Sequence, residues 1–180
     1  MNIACTLLRK IVREILSESI LTPARVENSV VGFYGAPVYF DNWDLALTKE
    51  FGYHFALGDE SQSLHRLRRE KSPGFLWKVR IEFKNALRLQ DPGRWTLETV
   101  LRQLDFESHV IDSFMAQASS TARKNFTSFR MEQNILLAKI LSDLEYDAII
   151  YLNRGEGGGQ AIIIWNPEQI HTLGVQKVIK

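Results

Sequence analysis

The chain has 180 residues, of which 45% are hydrophobic and 24% charged, a balance that supports one buried core and excludes disordered, collagen-like and disulfide-framework classes. Its 22 Lys and Arg against 21 Asp and Glu leave a formal net charge of +1, so no global field draws it to nucleic acid or anionic lipid. The single cysteine, Cys5, excludes an intrachain disulfide and a Cys-based zinc or iron-sulfur site.

Over residues 1–22, Ile3, Leu7, Leu8, Ile11, Ile15 and Leu16 recur at three-and-four spacing, which predicts an amphipathic helix ended by Thr22-Pro23. Arg9, Lys10, Arg13 and Glu14 interrupt the apolar pattern, unlike the central stretch of a secretory signal, so the segment is read as part of the mature protein. Its stripe packs on the chain's own sheet or docks on a partner, and the pattern does not distinguish the two. We divide the chain into this helix, 1–22, and a domain over 23–180. No apolar run approaches the ~20 residues that span a bilayer.

From Asn28 the texture changes to short β-branched and aromatic runs punctuated by glycine: SVVGFYGAP, FGYHFALG and FLWKVRIEF. The last alternates inward Trp77, Val79, Ile81 and Phe83 with outward Lys78, Arg80 and Glu82, the period of a strand. Between the second and third runs, Asp59 or Ser61 caps a short helix reaching about Glu70 and stopped by Pro73-Gly74. From Trp95 to Leu144 there is no Gly or Pro, and the apolar periodicity predicts two or three helices. The last runs from about Thr121 to Leu144 and buries Phe129, Leu136, Leu137, Ile140, Leu141 and Leu144. Strands return in DAIIYL and QAIIIW, joined by NRGEGGG and followed by the turn NPEQI and a final run ending in VQKVI. This order describes an α+β domain with mainly antiparallel pairing.

The histidines, His54, His65, His109 and His171, share no metal-binding spacing with one another or with a carboxylate. Nucleophile-elbow, phosphate-loop and dinucleotide glycine motifs are absent, and the glycines around Glu156 precede no helix. Taken alone, NRGEGGGQ is a hairpin loop using the freedom of glycine, or a backbone-lined ligand edge where Glu156 hydrogen-bonds a ribose hydroxyl. Arg123, Lys124 and Arg130 form a solvated helix face or an RNA-contacting one; no phosphate-binding loop accompanies them, and we set the RNA reading aside.

Three segments taken in order resemble the ADP-ribosyltransferase superfamily, in particular its small phage and polyvalent-protein branch. GFYGAPVYFD matches the first-strand motif through Phe33, Gly35 and Phe40-Asp41, with Tyr34 where the family has histidine. FGYHFALGDESQSLHRL matches the second through Gly52, His54, Phe55 and Ala56. NALRLQDPGRW matches a connecting phrase of the family, and LEYDAIIYLNRGEGGGQAIIIWNPEQI follows the closing plan from Tyr146-Asp147 through Asn153 to Pro167, Gln169 and Ile170, with Asn166 replacing an aspartate.

The resemblance implies a mixed, mainly antiparallel split sheet with flanking helices, NAD as substrate, and transfer of ADP-ribose to a host or defence protein by a phage-encoded enzyme in the host cytoplasm. It places NAD against Tyr34, Gly35, His54 and Phe55, with Gly35 presenting its backbone to the nicotinamide amide. The stacking position falls near His65, with Ser63 and Arg66 as close alternatives. Where the family places its catalytic glutamate, this sequence has Gln160-Ala161, so Gln160 and the loop residue Glu156 are the candidate catalytic groups. These departures keep a second reading open: a catalytically degenerate member that acts by protein binding, as a virion or accessory component or as an inhibitor of a host complex. Protein is the expected partner, nucleic acid is disfavoured by charge, and no membrane is implied.

Overall fold

The computed structural model describes residues 29–45, 48, 50–69, 73–122 and 126–178. The predicted helix over 1–22, together with Arg123 and Lys124, lies outside the described residues. The strands are β1 (Ser29–Ala36), β2 (Tyr53–Leu57), β3 (Gly74–Glu82), β4 (Ala86–Arg88), β5 (Ala148–Leu152), β6 (Gln160–Ile164) and β7 (Ile170–Val178). The helices are α1 (Ser61–Arg69), α2 (Leu97–Gln103), α3 (Ser108–Thr121) and α4 (Phe126–Asp143). All strands join one seven-stranded sheet in the order β4-β5-β6-β2-β1-β3-β7. Each neighbouring pair is antiparallel except β4 with β5, so the α+β, mainly antiparallel expectation holds.

Local chemistry accounts for the elements. On β3, Trp77, Val79 and Ile81 are buried while Lys78, Arg80 and Glu82 are exposed, because successive side chains of a strand face opposite sides. At the start of α1, the Asp59 carboxylate accepts a hydrogen bond from the Ser61 amide at 2.7 Å, satisfying a donor that a helix start leaves open. Helix α2 begins at a reciprocal cap: the Thr96 side chain accepts from the Thr99 amide, and the Thr99 hydroxyl accepts from the Thr96 amide. Asp147 clamps the β3–β4 turn to the start of β5 by accepting from the amides of Lys84 and Asn85, both at 2.8 Å.

Two cores result. Helices α2 to α4 cover one face of β5 and β6, where Leu97, Leu101, Ile111, Leu137 and Leu141 pack on Ile149, Tyr151 and Ile163. Each such side chain contributes about 1.5–3 kcal/mol on burial. The second core contains no helix: Tyr53, Phe55, Trp77, Val79, Ile81, Ile150, Ile162, Ile164 and Ile170 meet there from β2, β3, β5, β6 and β7. Both halves of the sheet, β4-β5-β6-β2 and β1-β3-β7, contribute side chains to this helix-free core.

The seam between those halves is β1 against β2. β1 pairs with β3 along its whole length, from Ser29 opposite Glu82 to Ala36 opposite Phe75. With β2 it shares only two positions, Gly32 opposite Leu57 and Phe33 opposite Ala56. Past Phe33 the strands part, which is the split that the sequence resemblance implied.

Candidate functional site

Helix α1 lies over the parted strands and fixes the seam with a side chain. Ser63 Oγ donates to the Phe33 carbonyl at 2.8 Å, on the last residue of β1 in register with β2. Close approach of helix and strand needs Gly35: a Cβ there would sit 2.6 Å from the Ser63 carbonyl oxygen and 3.1 Å from Leu67 Cγ. Gly35 is thus a packing position under α1.

Beside this contact is a narrow cleft lined by His54, Phe55, Ala56, Gln62, Ser63, Arg66, Asn153, Glu156 and Ala161. Its free space is about 10 Å³, roughly the room one water needs. What fills it is an ion pair. Arg66 Nε donates to Glu156 Oε1 at 2.9 Å and Arg66 Nη2 to Glu156 Oε2 at 3.1 Å, the two-pronged geometry that suits a guanidinium and a carboxylate. The side chains are 26% and 12% exposed, against 40% or more for both partners in the other described ion pairs. Burial opposes the Arg66 charge, but the hydrogen bonds and negative charge of Glu156 outweigh it and hold the guanidinium above its ordinary pKa.

The loop between β5 and β6 presents Glu156. Asn153 Nδ2 donates to Glu156 Oε2 at 3.0 Å while Asn153 Oδ1 accepts from the Glu156 amide at 3.2 Å, making a single turn of 3-10 helix over Arg154–Glu156. The loop is closed by backbone bonds from Asn153 to the Gly159 carbonyl and from Gly158 to the Asn153 carbonyl. Gly157 and Gly158 have φ of 106° and 81°, which glycine adopts without the penalty other residues meet.

His54 forms the floor and is fully engaged. Its Nε2 lies 3.1 Å from the Phe51 carbonyl, which only accepts, so Nε2 carries the proton and Nδ1 accepts from the Tyr151 hydroxyl at 2.9 Å. Burial, reinforced by the nearby Arg66 cation, pushes its pKa down to about 3, and the ring is neutral at ordinary pH. Burial raises Tyr151 well above its ordinary pKa, keeping the hydroxyl a donor.

The structure therefore brings Glu156, His54, Phe55 and Ser63 to one cleft, with Gly35 packed beside Ser63. Phe55 borders the cleft while its side chain joins the helix-free core. Tyr34 is not in this group. Its ring sits 5.5 Å from Trp43, 5.6 Å from Tyr53 and 5.7 Å from Phe55, within the aromatic packing of that core. His65 is exposed on α1, and the Gln160 side chain is exposed at the start of β6. Sequence reading did not select Gln62 or Asn153, and it considered Arg66 only as a neighbour of the stacking position. The available signal was that Gln62, Ser63 and Arg66 fall on one side of a helix, since positions four apart are neighbours there.

Chemically the cleft offers a cation for an anionic group, a carboxylate for a hydroxyl, and side-chain amides that donate and accept. These groups match a dinucleotide such as NAD in kind. In volume the closed cleft, with room for about one water, does not admit a dinucleotide. Among the described residues no group of three or more His, Cys, Asp and Glu side chains is arranged to hold a metal ion, and no described helix is long and apolar enough to cross a membrane.

No protein-family model matches the chain, and no curated protein matches it in sequence. Among solved structures it is similar to a chain of the M. tuberculosis MbcT-MbcA toxin-antitoxin complex, at 11% identity and a TM-score of 0.44, over 93% of this chain and 91% of that one. It is also similar to an anti-CRISPR protein, at 14% identity and a TM-score of 0.40, over 86% of this chain and 99% of that one.

Proposed function

We propose that the protein is an NAD-dependent mono-ADP-ribosyltransferase of the phage type, acting on a host or defence protein, with the Arg66–Glu156 cleft as its site. The observation that carries this reading is the convergence of the partly buried ion pair, Ser63, His54 and Asn153 beside the parted β1 and β2 strands, where the sequence resemblance puts NAD. When bound, NAD supplies an ADP-ribosyl group: its nicotinamide-ribose bond breaks with the electron pair leaving on nicotinamide, and the acceptor nucleophile forms the new bond and loses its proton. In this reading Arg66 exchanges Glu156 for the diphosphate. The released Glu156 carboxylate orients a ribose hydroxyl and stabilises developing positive charge, while Asn153 positions it. Neutral His54 supports the floor and takes no proton.

A second reading, a catalytically degenerate member that acts by binding a protein partner, is favoured by the residues at the start of β6. Gln160 and Ala161 carry no carboxylate there, and Glu156 comes from the preceding loop already committed to Arg66. The experiment that separates the two incubates the protein with NAD labelled in the adenosine half, with and without host lysate, and follows protein label and free nicotinamide by mass spectrometry. The transferase reading expects both products, and expects Glu156→Gln to slow them about 10²- to 10³-fold, as for other single preorganised groups. NAD binding without nicotinamide release turns the conclusion to the second reading. No NAD binding at all overturns the transferase reading, and a stable complex with a host protein formed without NAD supports the second.

A further inference from the structure

We infer that Gln62 is the ligand-recognition residue of this cleft, its side-chain oxygen set to accept a hydrogen bond from an uncharged N–H or O–H group of the ligand. The inference rests on the reading of the cleft as an NAD site and adds to it the kind of ligand atom that this cleft selects. Gln62 is 5% exposed. Its Nε2 donates to the Gln160 carbonyl at 3.3 Å, and because a carbonyl only accepts, that contact fixes which end of the amide is which. Oε1 is therefore the other end, buried and with no hydrogen-bond partner among the described residues. Buried amide oxygens in folded proteins are nearly always satisfied, and an exception calls for a functional role or a partner from outside the chain.

The surroundings point the same way. Gln62 and Arg66 stand one helical turn apart on α1 and both line the cleft, so one ligand meets an uncharged acceptor and a cation side by side. Gly159 covers the Gln62 amide so closely that a Cβ there would collide with it. Gly159, which lies against the Nε2 end of that amide, belongs to the same loop that places Glu156 on Arg66, so one loop fixes both the Gln62 amide and the partner of the cation. The fitting ligand carries an uncharged donor near an anionic group. In NAD the anion is the diphosphate, and the donor is the carboxamide N–H or a ribose O–H.

The test is calorimetric titration of three probes into the wild-type protein and two variants, with thermal melts alongside. NAD carries both donors, ADP-ribose has hydroxyls but no carboxamide, and nicotinic acid adenine dinucleotide has a carboxylate in place of the carboxamide. If the carboxamide is the donor, wild type prefers NAD to the nicotinic acid analogue by at least about tenfold, and Gln62→Met removes that preference by weakening NAD alone. If a ribose hydroxyl is the donor, Gln62→Met weakens all three probes by about tenfold while its melting temperature stays at or above that of wild type. Gln62→Glu keeps an acceptor of the same length but adds a negative charge, so it weakens binding of the nicotinic acid analogue more than binding of NAD. Wild-type NAD affinity in Gln62→Met overturns the role of Gln62 and leaves the site standing. Loss of all binding together with the cooperative melt in both variants assigns Gln62 to the fold and overturns it too. Failure of wild type to bind any probe overturns the reading of the site and this inference with it.

Discussion

Glu156→Gln, Arg66→Met and the double variant form a cycle that measures what the pair in the cleft is worth. Glu156→Gln leaves a neutral amide that still accepts from Asn153 Nδ2 but strands the guanidinium, whose side chain is only 26% exposed. Exposed pairs couple by about 0–1 kcal/mol, and removing one partner of a fully buried pair costs about 3–5 kcal/mol. Two well-formed hydrogen bonds with most of both side chains out of solvent put this pair between those limits. We expect Glu156→Gln to cost about 2–3 kcal/mol, or roughly 5–10 °C in melting temperature for a chain of this size, with a coupling of about 2 kcal/mol. Because solvent is largely excluded, raising the salt concentration lowers the coupling only slightly. Urea unfolding of the four proteins at pH 7.5 gives the number. A coupling below about 0.5 kcal/mol, the level of a solvated surface pair, refutes the view that this pair holds the cleft closed.

His54 gives a pH dependence. Its folded pKa of about 3 lies below the ordinary 6.5, so the unfolded chain takes up the proton first; the stabilisation is complete above about pH 6.5 and is lost as pH falls toward 3. By pH 5.5 the loss is about 1.4 kcal/mol; comparing urea unfolding at pH 8 and 5.5, His54→Gln should show a change smaller by that amount, and equal changes in both proteins would sink the assignment. Gly35→Ala pushes a methyl to 2.6 Å from the Ser63 carbonyl and is expected to cost about 1–3 kcal/mol by overpacking. Gly174→Ala, with no atom within 4 Å of the new methyl, is expected to stay within about 0.5 kcal/mol, and differential scanning calorimetry of the two variants checks the contrast.

Elements whose residues interact with near neighbours were legible in the sequence. FLWKVRIEF alternates as β3 does, Asp59 marks the start of α1, and the Gly- and Pro-free stretch after Trp95 resolves into α2, α3 and α4. The site was only half legible because its central contact joins residues 90 positions apart. Nothing local to SQSLHRLRR says that Arg66 meets a carboxylate, and nothing in NRGEGGG says that Glu156 is turned inward by Asn153. Tyr34 shows the same limit: the rings that enclose it come from β2, β3 and the β1–β2 connection, so its face of the strand is decided by partners the motif does not contain. The helical spacing of Gln62 with Arg66 groups the two on one side of α1 but does not say that this side is buried, since a polar residue on a short helix ordinarily faces water.

The two sides of the β1–β2 seam divide the work of holding it and using it. On the helix-free side, Tyr34 from β1, Tyr53 and Phe55 from β2 and Trp43 between them make ring contacts of 4.8–5.7 Å across the gap, each adding about 0.5–1.5 kcal/mol beyond simple burial. With the seam secured there, the α1 side can present charges and amides that contribute little to joining the halves. Those groups are satisfied by one another, Arg66 by Glu156 and Glu156 by Asn153, with the Gln62 oxygen the exception. A ligand that opens the cleft therefore has to replace each interaction it breaks, supplying an anion to Arg66 and a donor to Glu156, because a buried group left without its partner costs more than the original bond contributed. Cationic and neutral ligands, which bring no anion, and anions without an N–H or O–H donor fail that condition whatever their shape, so the closed pair filters any ligand that would open it.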